Sequence, residues 1–293
     1  MIRPRRSLLY MPGSNLRALE KARNLPADGL ILDLEDSVAP DAKAVARDQI
    51  AGAVAAKGFG RREILIRVNG LDTPWWGDDI AMAAKASPDG ILIPKVSTRE
   101  DLDTIGGRLA ELSASPSVKV WAMIETSLAV LHAEELSAAS RDPKTRLAGF
   151  VFGPNDISRE TRIRMTPDRA AMIPMFIQTI LAARAYGIEV LDGPYGDINN
   201  SDGFATECAQ ARDLGFDGKT LIHPSQVEAC NAIFMPPHDE VARARKIIAA
   251  FELPENASRG AIRLDGQMVE RLHADVARRT IAIADAIAAK DNP

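Results

Sequence analysis

Short apolar blocks recur along the chain, and longer amphipathic stretches separate them. The blocks are rich in β-branched residues and have the length of strands, whereas the stretches between them have helical periodicity. Several helical stretches end at a glycine, such as Gly58, which is the usual residue just past a helix. The pattern predicts eight strands, over residues 7–12, 29–35, 63–69, 90–95, 119–125, 147–153, 188–192 and 217–222.

Strands that alternate with helices indicate right-handed crossovers and a parallel sheet. Eight repeats within about 230 residues fit a closed (β/α)8 TIM barrel in number and size. The alternative is a doubly wound open sheet, which a GxGxxG turn after the first strand would favour. The turn YMPGSN at residues 10–15 lacks that motif. We therefore predict an α/β protein built on a (β/α)8 TIM barrel.

The pattern changes at the Met235-Pro236-Pro237 break. We place a barrel catalytic domain over residues 1–235 and a C-terminal helical extension, or lid, over residues 236–293. The extension is predicted to contain a helix, a loop or short extended segment, and a closing amphipathic helix that begins near Met268. A segment of about 55 residues is too short for a core of its own, so we expect it to pack on the barrel or on a neighbouring subunit.

Several apolar blocks end abruptly in charge. A strand that only contributes to a core does not need a charged end, whereas parallel barrels place catalytic groups at the C-terminal ends of their strands. The pattern therefore predicts an enzyme whose chemistry lies at this rim. The charged residues that end or directly follow the blocks are Glu35, Arg67, Lys95, Glu125 and Asp156.

Composition narrows the range of partners. The formal net charge of −4 provides no basic footprint for nucleic acid. No apolar stretch reaches the length of a signal peptide or a membrane span, so we expect a cytoplasmic protein. Cys208 and Cys230 have no CxxC spacing and are expected to be free thiols. The histidines form no HxH or HxxxH pair, which argues against a zinc site.

Glu125 and Asp156 are the strongest candidate pair. Consecutive barrel strands are neighbours, so both carboxylates are expected on one rim within reach of one ion. Carboxylates without nearby His or Cys suit a hard cation that keeps several waters, and Mg²⁺ is the natural choice. Alternatively, Glu125 is an acid near a helix start and Asp156 is a loop acid.

The segment GPND at residues 153–156 suggests a second kind of site. Gly153 lets a ligand approach the backbone, and N–H groups after Pro154 could bind a carboxylate, although a plain turn uses the same residues.

Arg67 and Asn69 share one face at the end of the third predicted strand. A guanidinium that points into a barrel mouth needs an anion or a polarised carbonyl, or it instead bonds a buried carboxylate such as Glu35. We expect Glu35 to pair with a cation and Asp36 to brace the rim. Lys95 has no assigned role. Asp192, at the end of the seventh predicted strand, could cap a turn or line the pocket.

Eight blocks in order resemble the citrate lyase β-subunit-like group of the HpcH/HpaI aldolase superfamily. The resemblance runs nearly from end to end of the chain. The blocks are RSLLYMPG at 6–13, ADGLILDLEDSV at 27–38, IRVN at 66–69, ILIPKV at 91–96, MIET at 123–126, FGPNDIS at 152–158, GFDGKTLIHPSQ at 215–226 and DGQMVERLHADVARR at 265–279.

The resemblance implies a Mg²⁺-dependent carbon–carbon lyase. Its substrates would be 3-hydroxyacyl-CoA thioesters such as malyl-CoA, β-methylmalyl-CoA or citramalyl-CoA, which yield an acyl-CoA and a 2-keto acid. By resemblance, Glu125 and Asp156 are the metal ligands and Arg67 holds the thioester or enolate oxygen. The backbone of Gly153, Pro154, Asn155 and Asp156 would hold the keto-acid carboxylate. A homo-oligomer, trimeric or hexameric, is expected.

One position departs from the group. Relatives with a C-terminal extension commonly carry an Asp after Met-x that reaches a neighbouring subunit's site, whereas Glu270 stands there in this chain. The carboxylate is kept, with a reach about one methylene longer. By resemblance, Glu270 of a partner subunit is the candidate proton-transfer residue, and a metal-bound water is the alternative. Two alternatives stay open: a citrate lyase β subunit that acts on citryl-acyl-carrier protein, which the extension argues against, and an acyl-CoA thioesterase.

Overall fold

Eight parallel strands form a closed barrel in the computed structural model, which describes residues 2–256 and 258–291. Each strand pairs with the next along the chain, and β8 pairs with β1. This architecture confirms the predicted (β/α)8 TIM barrel. The strands are β1 (Ser7–Pro12), β2 (Gly29–Asp33), β3 (Glu63–Arg67), β4 (Gly90–Ile93), β5 (Lys119–Ile124), β6 (Leu147–Phe152), β7 (Glu189–Asp192) and β8 (Gly218–Leu221).

Helices follow each strand and cover the outside of the barrel. Local capping fixes several of them: Thr98 and Asp101 form a reciprocal capping box at one start, and Gly187 and Gly215 end two helices with positive φ. The helices are α1 (Leu16–Ala22), α2 (Lys43–Ala55), α3 (Trp76–Ala86), α4 (Arg99–Glu111), α5 (Ser127–Leu131), α6 (Ala133–Ala138), α7 (Pro154–Thr161), α8 (Ile173–Tyr186), α9 (Ser201–Leu214) and α10 (Val227–Phe234).

The barrel interior is filled by a cluster of apolar side chains, to which β5 contributes both Trp121 and Met123. Because strand side chains alternate between faces, the residue two positions after the last of these side chains on each strand also points inward, at the C-terminal rim. Tyr10, Asp33, Arg67 and Glu125 occupy such positions on β1, β2 and β3 and just past β5. The cluster consists of Leu8, Ile31, Leu65, Leu92, Trp121, Met123, Val151 and Leu191.

Most observed strands end earlier than predicted. Glu35, Asn69, Lys95, Glu125 and Gly153 follow the strands rather than ending them. After β2, β3 and β4, side-chain carboxylates accept hydrogen bonds from the backbone N–H groups of Glu35, Asn69 and Lys95. Such bonds compete with sheet pairing, and the apolar pattern does not predict them. The candidate groups therefore lie largely in the loops of the C-terminal rim.

The chain divides into two compact units. Residues 5–234 form one compact unit, and the stretch from Met235 belongs to a second. This second unit contains α11 (His238–Glu252), an antiparallel hairpin of β9 (Ala261–Leu264) and β10 (Gln267–Glu270), and α12 (Arg271–Asp291). It was expected to be too small for a core of its own, but it has an apolar cluster that includes Phe251, Ile262 and Val269.

The closing helix begins at Arg271, so the prediction of a helix from Met268 was wrong. Asp265 and Gly266 both have positive φ, as a two-residue hairpin turn requires. The following residues then alternate, with Met268 exposed and Val269 buried. Within the described residues, no helix is long and apolar enough to cross a membrane.

Candidate active site

A buried ion pair joins the ends of β2 and β3. Asp33 and Arg67 are register partners on these strands. The Arg67 guanidinium donates from Nε to Asp33 Oδ1 at 2.6 Å and from Nη2 to Oδ2 at 2.7 Å. Burial alone would raise the pKa of Asp33, but the charge and hydrogen bonds of Arg67 outweigh it and lower that pKa. Arg67 therefore bonds a buried carboxylate, which was one of the two roles expected for it. The carboxylate with which it makes two hydrogen bonds is Asp33.

Arg67 also contacts the loop after β2. Its Nη1 lies 2.7 Å from Glu35 Oε2 and 3.8 Å from Asp36 Oδ2, and the Tyr10 ring centroid lies 4.7 Å from its Cζ. Glu35 thus pairs with a cation, as predicted. Burial raises the pKa of Glu35 to about 7, and the charges of Asp36 and Asp33 add to the increase, while Arg67 opposes it. The Arg67 N–H groups that Asp33 does not use are on Nη1 and Nη2.

Glu125 is a buried carboxylate directly after β5, with 3% of its surface exposed. Its Oε1 accepts a hydrogen bond from the Lys95 backbone N–H at 2.8 Å. Lys95 has φ of +56°, a strained region for a side chain other than glycine. Burial raises the pKa of Glu125 to about 8, and the charges of Glu35 and Asp156 contribute. Three carboxylates therefore interact electrostatically at this rim.

The loop after β6 brings Gly153 and Asp156 to the same place. A Cβ on Gly153 would lie 2.4 Å from Glu125 Cβ and 2.7 Å from its Oε2, so only glycine fits beside Glu125. Asp156 lies in the first turn of α7, and its Oδ1 accepts from Arg159 Nη2 at 2.6 Å. Pro154 is buried and opens this helix. Backbone N–H groups of its first turn lack helical partners and suit an anion.

Glu125 and Asp156 fit a hard divalent cation. Both offer only oxygen donors, and the pKa of Glu125 is raised first by burial and then by the negative charges of Glu35 and Asp156, which a bound cation would offset. In the part of the chain that the structure describes, no group of three or more His, Cys, Asp or Glu side chains is arranged to hold a metal ion. The protein would contribute these two carboxylates, and oxygen atoms of water and substrate would complete the coordination.

Asn69 was expected to share one face with Arg67, but it lies in a buried brace behind the rim. Its Nδ2 donates to Leu34 O at 3.1 Å and to Asp79 Oδ2 at 2.5 Å. Lys43 Nζ donates to Asn69 Oδ1 at 2.8 Å and to the carbonyls of Leu34 and Glu35. The sequence patterns did not predict this brace. The available signal was a charge on the buried face of each of two helices, Lys43 on α2 and Asp79 on α3.

Asp192 lines no part of the rim. It is fully buried, and it accepts hydrogen bonds from Arg169 Nη1 at 2.8 Å and from Lys219 Nζ at 2.7 Å. Its neighbour Leu191 points into the barrel, so Asp192 faces the surrounding helices.

Glu270 ends β10 in the second compact unit, where its backbone N–H donates to His273 Nδ1. The proposed role of Glu270 stays a prediction.

Known proteins resemble the chain over most of its length. The sequence pattern of the HpcH/HpaI aldolase/citrate lyase family matches residues 6–224. A (3S)-malyl-CoA thioesterase of Cereibacter sphaeroides is 46% identical over 286 residues, which cover 98% of this chain and 96% of the relative. The citrate lyase subunit beta of Escherichia coli is 33% identical, covering 97% and 94%. The structure of CitE from Mycobacterium tuberculosis with magnesium, acetoacetate and coenzyme A has a TM-score of 0.75 and 26% identity, covering 95% and 97%.

Proposed function

The chain belongs to the HpcH/HpaI aldolase/citrate lyase family, and we propose that it is a Mg²⁺-dependent lyase for 3-hydroxyacyl-CoA thioesters of the malyl-CoA type. The observation that carries this proposal is the convergence of one fixed guanidinium, from Arg67, with the two acids Glu125 and Asp156 at a single barrel rim. The matching family and the relatives' names support the substrate class.

The proposed reaction breaks the C2–C3 bond of the acyl chain. The 3-hydroxyl proton leaves, the hydroxyl carbon becomes the carbonyl of a 2-keto acid, and the bonding electrons pass to the acyl-CoA enolate. Arg67 is suited to stabilise this enolate, because charge develops on the thioester oxygen only in the transition state. The N–H groups at the start of α7 would hold the keto-acid carboxylate. Glu270 is the proposed proton-transfer residue.

Glu125 and Asp156 would hold Mg²⁺, which as a Lewis acid would polarise the substrate oxygens when bound. For this, Asp156 must share its carboxylate with the ion or release Arg159, to which it is now bonded. Arg159 is three-quarters exposed, so this ion pair is weak and easily exchanged.

A second candidate reaction is hydrolysis of the same thioester. The relative that favours it is the thioesterase that aligns with 98% of this chain at 46% identity. A third, citryl-acyl-carrier protein cleavage, was disfavoured because of the C-terminal extension. The extension does not disfavour this reaction, so the expectation was wrong: a citrate lyase β subunit aligns with 97% of this chain, extension included.

Product analysis separates these reactions. The protein is incubated with malyl-, β-methylmalyl- and citramalyl-CoA in the presence of Mg²⁺, and keto acid and free thiol are measured together. Cleavage releases keto acid without free thiol, whereas hydrolysis releases free thiol without keto acid. Release of keto acid and free thiol in equal amounts indicates cleavage followed by hydrolysis. Glu125→Gln is the matched inactive variant. Consumption of none of the three thioesters, by wild-type protein that binds Mg²⁺, would refute the proposal.

A further inference from the structure

We propose that Asp33 is a positioning residue for the reaction: it fixes the Arg67 guanidinium and shapes the turn that carries Glu35. This inference rests on the proposed function, because it concerns how the site aims Arg67. Asp33 lies at the end of β2 and is fully buried. Its oxygens lie between the Arg67 side chain on one side and the turn of residues 34–37 on the other.

The Asp33 carboxylate is saturated with donors. Beside its two bonds from Arg67, it accepts from the Glu35 backbone N–H at 2.9 Å, from the Ser37 N–H at 3.2 Å and from Ser37 Oγ at 2.5 Å. A carboxylate offers about four lone-pair positions. No capacity remains for a metal ion or a substrate, so Asp33 can act on the reaction only through the groups that it holds.

Those groups define the geometry of the rim. Asp33 engages Arg67 through Nε and Nη2, and the Tyr10 ring lies against the guanidinium. The N–H groups that remain, on Nη1 and Nη2, are thereby fixed in direction. The same carboxylate sets the position of Glu35 by holding its backbone N–H, and Glu35 in turn contacts Nη1. One buried side chain thus orients both polar groups.

Asparagine cannot replace Asp33 in this role. The donors around its carboxylate come from Arg67, Glu35 and Ser37, so an amide Nδ2 would face a donor in either orientation. Arg67 would then turn toward Glu35. A displacement of about 1 Å at such a group costs about 100-fold in rate.

The chain offers a matched control at the opposite end of β2. Asp28 is buried just before the strand and accepts from Arg6 Nε and Nη2, both at 2.8 Å. It also accepts from the Arg6 backbone N–H. Asp28→Asn therefore breaks a buried two-bond pair of the same kind, far from the rim.

The test compares Asp33→Asn, Asp28→Asn, Arg67→Lys and the Asp33→Asn/Arg67→Lys double variant. We expect Asp33→Asn to lower kcat by about 100-fold with KM changed less than about 3-fold. Asp28→Asn should lower the melting temperature similarly but keep wild-type kcat. When Arg67→Lys is already present, adding Asp33→Asn should lower kcat by less than about a further 3-fold, because both changes act on one group.

Equal kcat in the two asparagine variants, or fully multiplicative effects in the double variant, would overturn the inference while the lyase assignment stands. An inactive wild-type protein would overturn both. If Asp33→Asn does not fold, Ser37→Ala removes one donor to Asp33 at an exposed position. Its kcat should fall several-fold, and an unchanged kcat would contradict the inference.

Discussion

Glu125→Gln should change how the stability of the metal-free protein depends on pH. In the folded protein, the pKa of Glu125 is raised from 4.5 to about 8 by burial and by the neighbouring charges of Glu35 and Asp156. The folded state therefore keeps this proton to higher pH than the unfolded state does. Between these two pKa values, the unfolded state binds fewer protons, so the free energy of unfolding falls as pH rises.

The magnitude follows from the size of the shift. Each pKa unit corresponds to about 1.4 kcal/mol, so ionised Glu125 destabilises the metal-free fold by about 5 kcal/mol once the pH exceeds its folded pKa. Glutamine has nearly the same shape, and its Oε1 can still accept from the Lys95 N–H. The Gln variant should therefore be the more stable protein at high pH in EDTA, and Mg²⁺ should stabilise only the wild type.

Thermal unfolding in EDTA at about pH 6 and about pH 9 measures the effect, since the wild type should lose roughly 3 kcal/mol more than the variant over that interval. Glu111→Gln is the control, because this carboxylate is exposed on α4 and pairs with Arg108. It should keep the wild-type pH dependence. If wild type and Glu125→Gln show the same slope, Glu125 is not the crowded, proton-holding acid described above.

Three further substitutions test separate parts of the site. Gly153→Ala should weaken Mg²⁺ binding at least 10-fold, measured by calorimetric titration, and cost about 1–3 kcal/mol of stability, because its Cβ collides with Glu125; unchanged binding would contradict the close approach. Arg67→Lys should lower kcat by about 100-fold or more, since lysine cannot bridge Asp33 and Glu35 as a fork; wild-type turnover would refute the enolate role. Glu270→Gln should slow keto-acid release while Mg²⁺ affinity stays unchanged, and Glu270→Asp should recover it; equal rates in both would remove Glu270 from proton transfer.

Sequence patterns predicted the barrel because apolar blocks alternate with helical stretches, and every observed barrel strand lies within one of the eight predicted ranges. They also predicted Arg67 and Glu125 at the rim, since a charge at the end of a buried strand or directly after it can be recognised from the sequence alone. They did not assign Asp33, which reads as one of three crowded acids in LILDLED. Which acid meets Arg67 depends on the register of β2 against β3, and that register pairs Asp33 with Arg67.

Other features depend on contacts that are remote in sequence. The brace of Lys43, Asn69 and Asp79 joins two helices and two loops, so no local pattern predicts it. Asp192 is different, because the alternation of β7 could have placed it outside the barrel once Leu191 was assigned to the interior. The hairpin before α12 also had a signal, the Asp265-Gly266 turn.

The most direct test of the account is metal-dependent keto-acid release at this rim. Wild-type protein and Glu125→Gln are treated with EDTA, supplied with (3S)-malyl-CoA, and assayed for keto acid before and after Mg²⁺ is added. We predict that EDTA-treated wild type is inactive, that Mg²⁺ restores keto-acid release, and that Glu125→Gln stays inactive under both conditions. Keto-acid release by the EDTA-treated wild type, or full activity of Glu125→Gln with Mg²⁺, would contradict the account.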